Sequence, residues 1–278
     1  MYRLNSDFIF AKFCITSGYC DLFLGIRILL IKRCCRQQSR FASIPCESRA
    51  WEIHHYGSTL QSVIDSELRL TTTRRPPLIC HPDDILIHCQ AASVNPIDTY
   101  TLTGYGSSIF KIFRRVRSPT KRTDEFPFTP GRDFAGIVAD AGPQATSRSF
   151  SPGTPVMGAT MPHTSPLGGG CLSDYILCQS SVVAKRPEKL DPILAAAVSY
   201  AGLTAWSAIQ QAGMDPSKKS KDAPKRVLVT GVTGPVGALA VQLAKIAGAS
   251  TLAVTVPSRV KEADIKASLG VDEVIFKV

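Results

Sequence analysis

Three glycines spaced three apart, in Gly231-Val-Thr-Gly234-Pro-Val-Gly237, are the residues of this 278-residue chain best suited to hold an anion. Val227–Thr230 ahead of them reads as a short apolar strand, and an amphipathic helix follows over about 235–247. Strand, glycine turn and helix start together make a βα unit. Its first helical N–H groups and the helix dipole attract phosphate, and the glycines let the backbone turn and approach it. Thr233, Gly234, Pro235, Val236 and Gly237 are the candidate phosphate-binding residues. Pro235 suits the first helical position but has no N–H, so Val236 and Gly237 must donate. The glycine spacing alone also fits a tight turn without a ligand; its strand-to-helix context is what favours binding.

The second strand of the unit, Thr251–Val256, bears on which dinucleotide is held. An NAD site usually places Asp or Glu after this strand to bind the ribose 2′-hydroxyl. No acid is there, and Pro257, Ser258, Arg259 and Lys261 follow instead. A hydroxyl and a cation at Ser258 and Arg259 suit a 2′-phosphate, so NADPH is expected over NADH; Lys261 reads equally as a solvated helix start. A helix over 260–269, a cap at Gly270 and a third strand over Glu273–Val278 complete the run. A doubly wound dinucleotide domain normally has about six strands. The chain carries the first half, so it reads as C-terminally truncated. Turnover is accordingly expected of a full-length form and little of residues 44–278 alone.

The remaining elements must position this unit. Residues 50–200 read as short strands punctuated by proline and glycine: Asp83–Ala92, Phe134–Ala141, Pro155–Ala159 and Asp174–Val183. Ile85, Ile87, Cys89 and Ala91 alternate on one face of the first. This pattern predicts a barrel-like β domain over about 50–195. Leu194–Met214 reads as a helix leading into the dinucleotide domain, 196–278.

Composition narrows the classes further. The net charge of +10 is uneven. Residues 1–43 hold seven Lys/Arg against two Asp and read as a mitochondrial import leader without fixed structure, ending at Arg40-Phe-Ala-Ser43. Their longest apolar run, Leu22–Ile31, is too short for a spanning helix and contains Arg27. The basic run Lys111–Arg122 reads as a solvated loop insertion, interrupted by Pro119 and followed by acids, and no nucleic-acid partner is expected. The nine cysteines include no C-x-x-C pair, so they read as free thiols in a reducing compartment. The five histidines lack ligand spacing.

Five segments then carry a family resemblance: Ala91-Ala-Ser-Val-Asn-Pro-Ile-Asp98, Gly104-Tyr-Gly106, Phe126-Pro-Phe-Thr-Pro-Gly-Arg-Asp133, Leu203-Thr-Ala-Trp-Ser-Ala-Ile209 and the glycine turn. Spread over about residues 50–278, they resemble the zinc-free quinone oxidoreductase branch of the medium-chain dehydrogenase/reductase superfamily. The resemblance implies an α/β chain: a GroES-like β-rich N-terminal domain, then an incomplete Rossmann domain with a doubly wound parallel sheet. Zinc-dependent relatives place Cys and Gly-His-Glu where this sequence reads Asn-Pro-Ile-Asp and Gly-Arg-Asp, so no zinc is expected. The family commonly has Gly where Pro235 stands.

The activity implied is NADPH-dependent reduction of a quinone or other conjugated carbonyl in mitochondria, the matrix first among their compartments. Tyr105 resembles the proton-donating tyrosine of the enoyl-thioester reductase branch; a phenol can donate a proton and is neutral at pH 7. Asn95 can position substrate or ribose through its amide. Each also has a plain reading, Tyr105 as a loop aromatic and Asn95 as the turn residue before Pro96. The alternatives are an enoyl-thioester reductase and a non-catalytic mitochondrial interaction protein that retains the fold. A mitochondrial protein partner and a homodimer are both compatible with the resemblance.

Overall fold

The computed structural model describes residues 8–11, 28–31, 44–117, 126–162, 169–217, 225–257 and 260–277. The chain divides into two compact units, Met1–Ser199 and Tyr200–Val278. Within the expected leader, β1 (Phe8–Ala11) and β2 (Ile28–Ile31) form an antiparallel pair.

The first unit is built on five strands: β5 (Asp84–Ser93), β6 (Asp133–Ala141), β7 (Pro155–Ala159), β8 (Tyr175–Gln179) and β9 (Val183–Lys185). They pair antiparallel in the order β8-β5-β6-β7-β9. Strands β8 and β9 lie at opposite ends of that order, yet only the 3-10 turn Ser180–Val182 separates them. Five strands laid flat would put their edges about 19 Å apart. The link from Gln179 to Val183 can span at most about 14 Å. The sheet must therefore curl until its edges approach, which is how the expected barrel-like domain arises. It also explains why Asp174–Val183 breaks in two where one strand is expected.

Ile85, Ile87 and Cys89 face the core, as their alternation predicts. A register shift between Cys89 and Ala91 then changes the phase. Ala92 continues the main core, and Ala91 packs with Ala135, Ala195 and Ala196 on the other face. An antiparallel pair, β3 (Ser48–Glu52) and β4 (Arg69–Arg74), and the short helix α1 (Leu60–Ser62) complete this side. Helix α2 (Pro96–Leu102) follows β5, α3 (Ser107–Arg117) follows α2, and α4 (Pro143–Ser147) follows β6. Helix α3 corrects the expectation of a loop insertion from Lys111. Ile109, Ile112, Phe113 and Val116 recur at helical spacing, and that periodicity prevails over the local charge. Residues 118–125, the rest of the expected loop, lie outside the described residues.

Helix α5 (Pro192–Gln211) leads into the second unit. There β10 (Arg226–Thr230), β11 (Thr251–Pro257) and β12 (Glu273–Lys277) form a parallel sheet in sequence order. Helices α6 (Pro235–Ile246) and α7 (Glu262–Leu269) make the crossovers. Val229, Val232, Val241, Ala244, Leu252, Val254 and Ile265 form the core of this unit. Strand β10 has a neighbour on one side only among the described residues, and Val229 is its sole buried member. Leu228 on this edge strand is 57% exposed.

Candidate active site and dinucleotide turn

The glycine turn is shaped by its neighbours. Gly231 has φ +72°, a conformation that side chains rarely adopt. Its N–H donates to Thr255 Oγ1 on β11 at 3.1 Å, which ties the turn to the second strand. Gly234 is the N-cap of α6 and accepts from the Ala238 N–H at 3.0 Å. Pro235 occupies the first helical position, as expected.

The three glycines differ in what requires them. A Cβ on Gly237 would lie 2.5 Å from the Gly231 oxygen and 2.8 Å from Val232 Cα, so helix-to-turn packing excludes any side chain there. A Cβ on Gly234 would meet nothing nearer than the Gly231 oxygen at 3.5 Å, an ordinary contact. The protein's own packing therefore does not demand glycine at 234. The Val236 and Gly237 N–H groups find no protein acceptor among the described residues. Open space over a bare Cα, beside two unengaged helix-start donors, fits the pyrophosphate of a dinucleotide. Ser258 and Arg259 lie outside the described residues.

In the first unit, the pairing of β5 with β6 unites two segments 40 residues apart in sequence. Ser93 ends β5 directly opposite Asp133, which begins β6. The Ser93 hydroxyl donates to Asp133 Oδ2 at 2.9 Å, and Asn95 Nδ2 donates to the same oxygen at 2.6 Å. The Asn95 N–H donates to Asp98 Oδ2 at 2.9 Å. Arg132 Nε lies 3.3 Å from Asp98 Oδ1, a contact of opposite charges without an aligned hydrogen bond. Ser93, Asn95, Asp98, Arg132 and Asp133 are all buried. Burial pushes the Asp98 carboxyl up to about 6; the Asn95 N–H and the Arg132 charge pull it down, and Asp133 pushes it up.

Asn95 thus caps α2, and one side of its amide is committed to Asp133. Tyr105 stands in the turn between α2 and α3. It is 65% exposed, its ring 6.2 Å from that of Tyr100. Ser93, Arg132 and Asp133 lie within the segments that carry the resemblance, but sequence alone assigned them no role in the site. The available signal was a charged pair set directly against a strand of small and apolar residues.

The buried thiols Cys89 and Cys178 are pushed up to about 12 by burial, and Cys171 is raised well above its ordinary value. At neutral pH they are inert thiols rather than nucleophiles. Among the described residues no three His, Cys, Asp or Glu side chains cluster to hold a metal.

A β sheet curled on itself, followed by a parallel βαβαβ unit with a glycine turn, defines a medium-chain dehydrogenase/reductase. The chain belongs to that family, and residues 81–188 match the alcohol dehydrogenase GroES-like domain. It is 35% identical over 226 residues to the Mus musculus protein named NAD(P)H oxidoreductase RTN4IP1, mitochondrial, covering 81% of this chain and 53% of that protein. It is 32% identical to the Caenorhabditis elegans reticulon-4-interacting protein 1, mitochondrial, covering 64% of this chain and 46% of that one. The quinone oxidoreductase of Coxiella burnetii superposes with a TM-score of 0.62 at 30% identity, over 82% of this chain and 62% of that structure. The chain spans about half the length of the curated relatives it matches.

Proposed function

We propose that the protein serves NADPH-dependent, zinc-independent reduction of a quinone or other conjugated carbonyl in mitochondria. The observation that carries this is the turn at Gly234, where space left open by the protein adjoins unengaged N–H donors. The names of the mouse and Coxiella relatives support an oxidoreductase, and those of the mouse and nematode relatives support a mitochondrial location, which we take to be the matrix.

Thr233, Gly234, Pro235, Val236 and Gly237 would hold the pyrophosphate, with Val236 and Gly237 donating. Ser258 and Arg259 would hold the 2′-phosphate; a charge-assisted hydrogen bond there is worth about 1.5–3 kcal/mol. The reduced nicotinamide, when bound, supplies a hydride. Tyr105 would donate its phenolic proton to the acceptor as negative charge develops there, and return to neutrality by taking a proton from water. Asn95, held by Asp133, would position the acceptor or the ribose. No zinc ligand is required of this scheme: the places that carry Cys and His in zinc-dependent relatives hold Asn95–Asp98 and Gly131–Asp133.

A second reading, a non-catalytic interaction protein with a protein partner, is favoured by the name of the nematode relative. An enoyl-thioester reductase differs only in acceptor, and a homodimer is compatible with all three readings.

The test titrates NADPH and NADH into the protein, then follows NADPH oxidation with a quinone, an enone and an enoyl-thioester. NADPH is expected to bind at least tenfold more tightly than NADH, about 1.4 kcal/mol. Tyr105→Phe is expected to lower turnover about a hundredfold and leave NADPH affinity unchanged. Equal affinities contradict the cofactor assignment, and binding without turnover of any acceptor favours the second reading.

A further inference from the structure

Helix α3 has no part in the reaction proposed above, and it exposes apolar side chains that a helix on a folded domain normally buries. Its sequence is Ser-Ser-Ile-Phe-Lys-Ile-Phe-Arg-Arg-Val-Arg, four cations and no acid in eleven residues. Positions 109, 112, 113 and 116 (Ile, Ile, Phe, Val) share one helical face by their spacing, and positions 111, 114 and 115 (Lys, Arg, Arg) share the other. Such a stripe normally turns toward the core. Here Ile109 is 60% exposed and Ile112 is 62% exposed. Phe110, one position off the stripe, is half-buried and lies over Gly106, where a Cβ would come within 2.5 Å of its ring. Tyr100, 59% exposed, adds an apolar ring on the neighbouring helix α2.

We infer that α3 is an interfacial helix that docks this protein on an anionic phospholipid surface. Ile109 and Ile112 enter the boundary between headgroups and acyl chains, and the Lys/Arg face lies over the lipid phosphates. An apolar stripe flanked by cations is the pattern of helices that lie in the plane of a bilayer. The exposed ring of Tyr100 suits the same depth. The wholly cationic flank selects a negatively charged surface over a neutral one.

The experiment sediments the full chain with phosphatidylcholine vesicles and with vesicles containing phosphatidylglycerol. Binding to the second and not the first is expected, weakening as salt rises. Ile109→Ser/Ile112→Ser is expected to reduce partitioning about tenfold or more, and Lys111→Glu by at least about fivefold. The basic residues 1–43 are present in every variant, so their contribution cancels. Both isoleucines are exposed, and an unchanged melting temperature verifies that the fold is intact. As a second readout, the indole introduced by Ile112→Trp is expected to shift its emission to the blue on anionic vesicles. Partitioning of the double serine variant equal to wild type, equal binding to both vesicle types, or an unshifted indole would overturn the inference.

Discussion

The polar frame between β5 and β6 and the glycine turn between β10 and α6 are both rich in polar groups, but they treat them in opposite ways. In the frame, the Asp133 carboxylate meets the Ser93 hydroxyl and the Asn95 amide, and Asp98 meets the Asn95 N–H and the Arg132 charge. The protein supplies those partners itself, in a buried setting. At the turn, the Val236 and Gly237 N–H groups have no protein acceptor among the described residues, and the space above Gly234 is open. Groups matched from within hold a fold together. Groups left unmatched beside open space face solvent, and there an anionic ligand can replace water as their partner.

Breaking the frame should therefore cost stability, and the largest effect is expected at Asp133. Asp133→Ala strands two buried donors, on Ser93 and Asn95, at about 1–3 kcal/mol each. Urea unfolding should find the first unit destabilised by about 3–5 kcal/mol, with Asp133→Asn milder because it retains an acceptor. A loss below about 1 kcal/mol would mean the frame is not what joins these strands.

Within the frame, the Asp98 carboxyl makes stability depend on pH. Its folded value of about 6 lies above its ordinary 3.8, so between those values the folded chain holds the proton more tightly than the unfolded one. Its stabilising contribution is fully present below 3.8 and is lost as pH rises through about 6. The difference amounts to roughly 3 kcal/mol. Subtracting the unfolding free energy of Asp98→Asn from that of wild type isolates this group. The subtracted value should fall by that amount between the two pH limits. A flat difference would show that Asp98 titrates normally in the fold.

Much of this contrast was legible in the sequence, for identifiable reasons. The second unit was readable almost residue by residue, because a βαβαβ run pairs elements that follow one another and each carries a local signal in its apolar period or glycine stop. The first unit was readable only as strands. Its register shift after Cys89, its break at Ser180–Val182 and its buried frame depend on pairing between distant segments, which no local window reports. Asn95 could be singled out, whereas its partner Asp133 could not. Helix α3 was missed because charge was weighed above period, although Ile109, Ile112, Phe113 and Val116 were already at helical spacing.

At the glycine turn the effects on the fold are the smallest and those on cofactor binding the largest. Gly237→Ala should destabilise the second unit by about 1–3 kcal/mol, since its Cβ would collide with backbone. Gly234→Ala should change stability by no more than about 1 kcal/mol, since its Cβ meets only one ordinary contact. The deciding measurement is an NADPH titration of wild type and Gly234→Ala, with thermal melts of both. Affinity for NADPH should fall at least tenfold, about 1.4 kcal/mol, while melting stays nearly constant. NADPH bound by Gly234→Ala as tightly as by wild type would contradict the claim that this turn holds the cofactor.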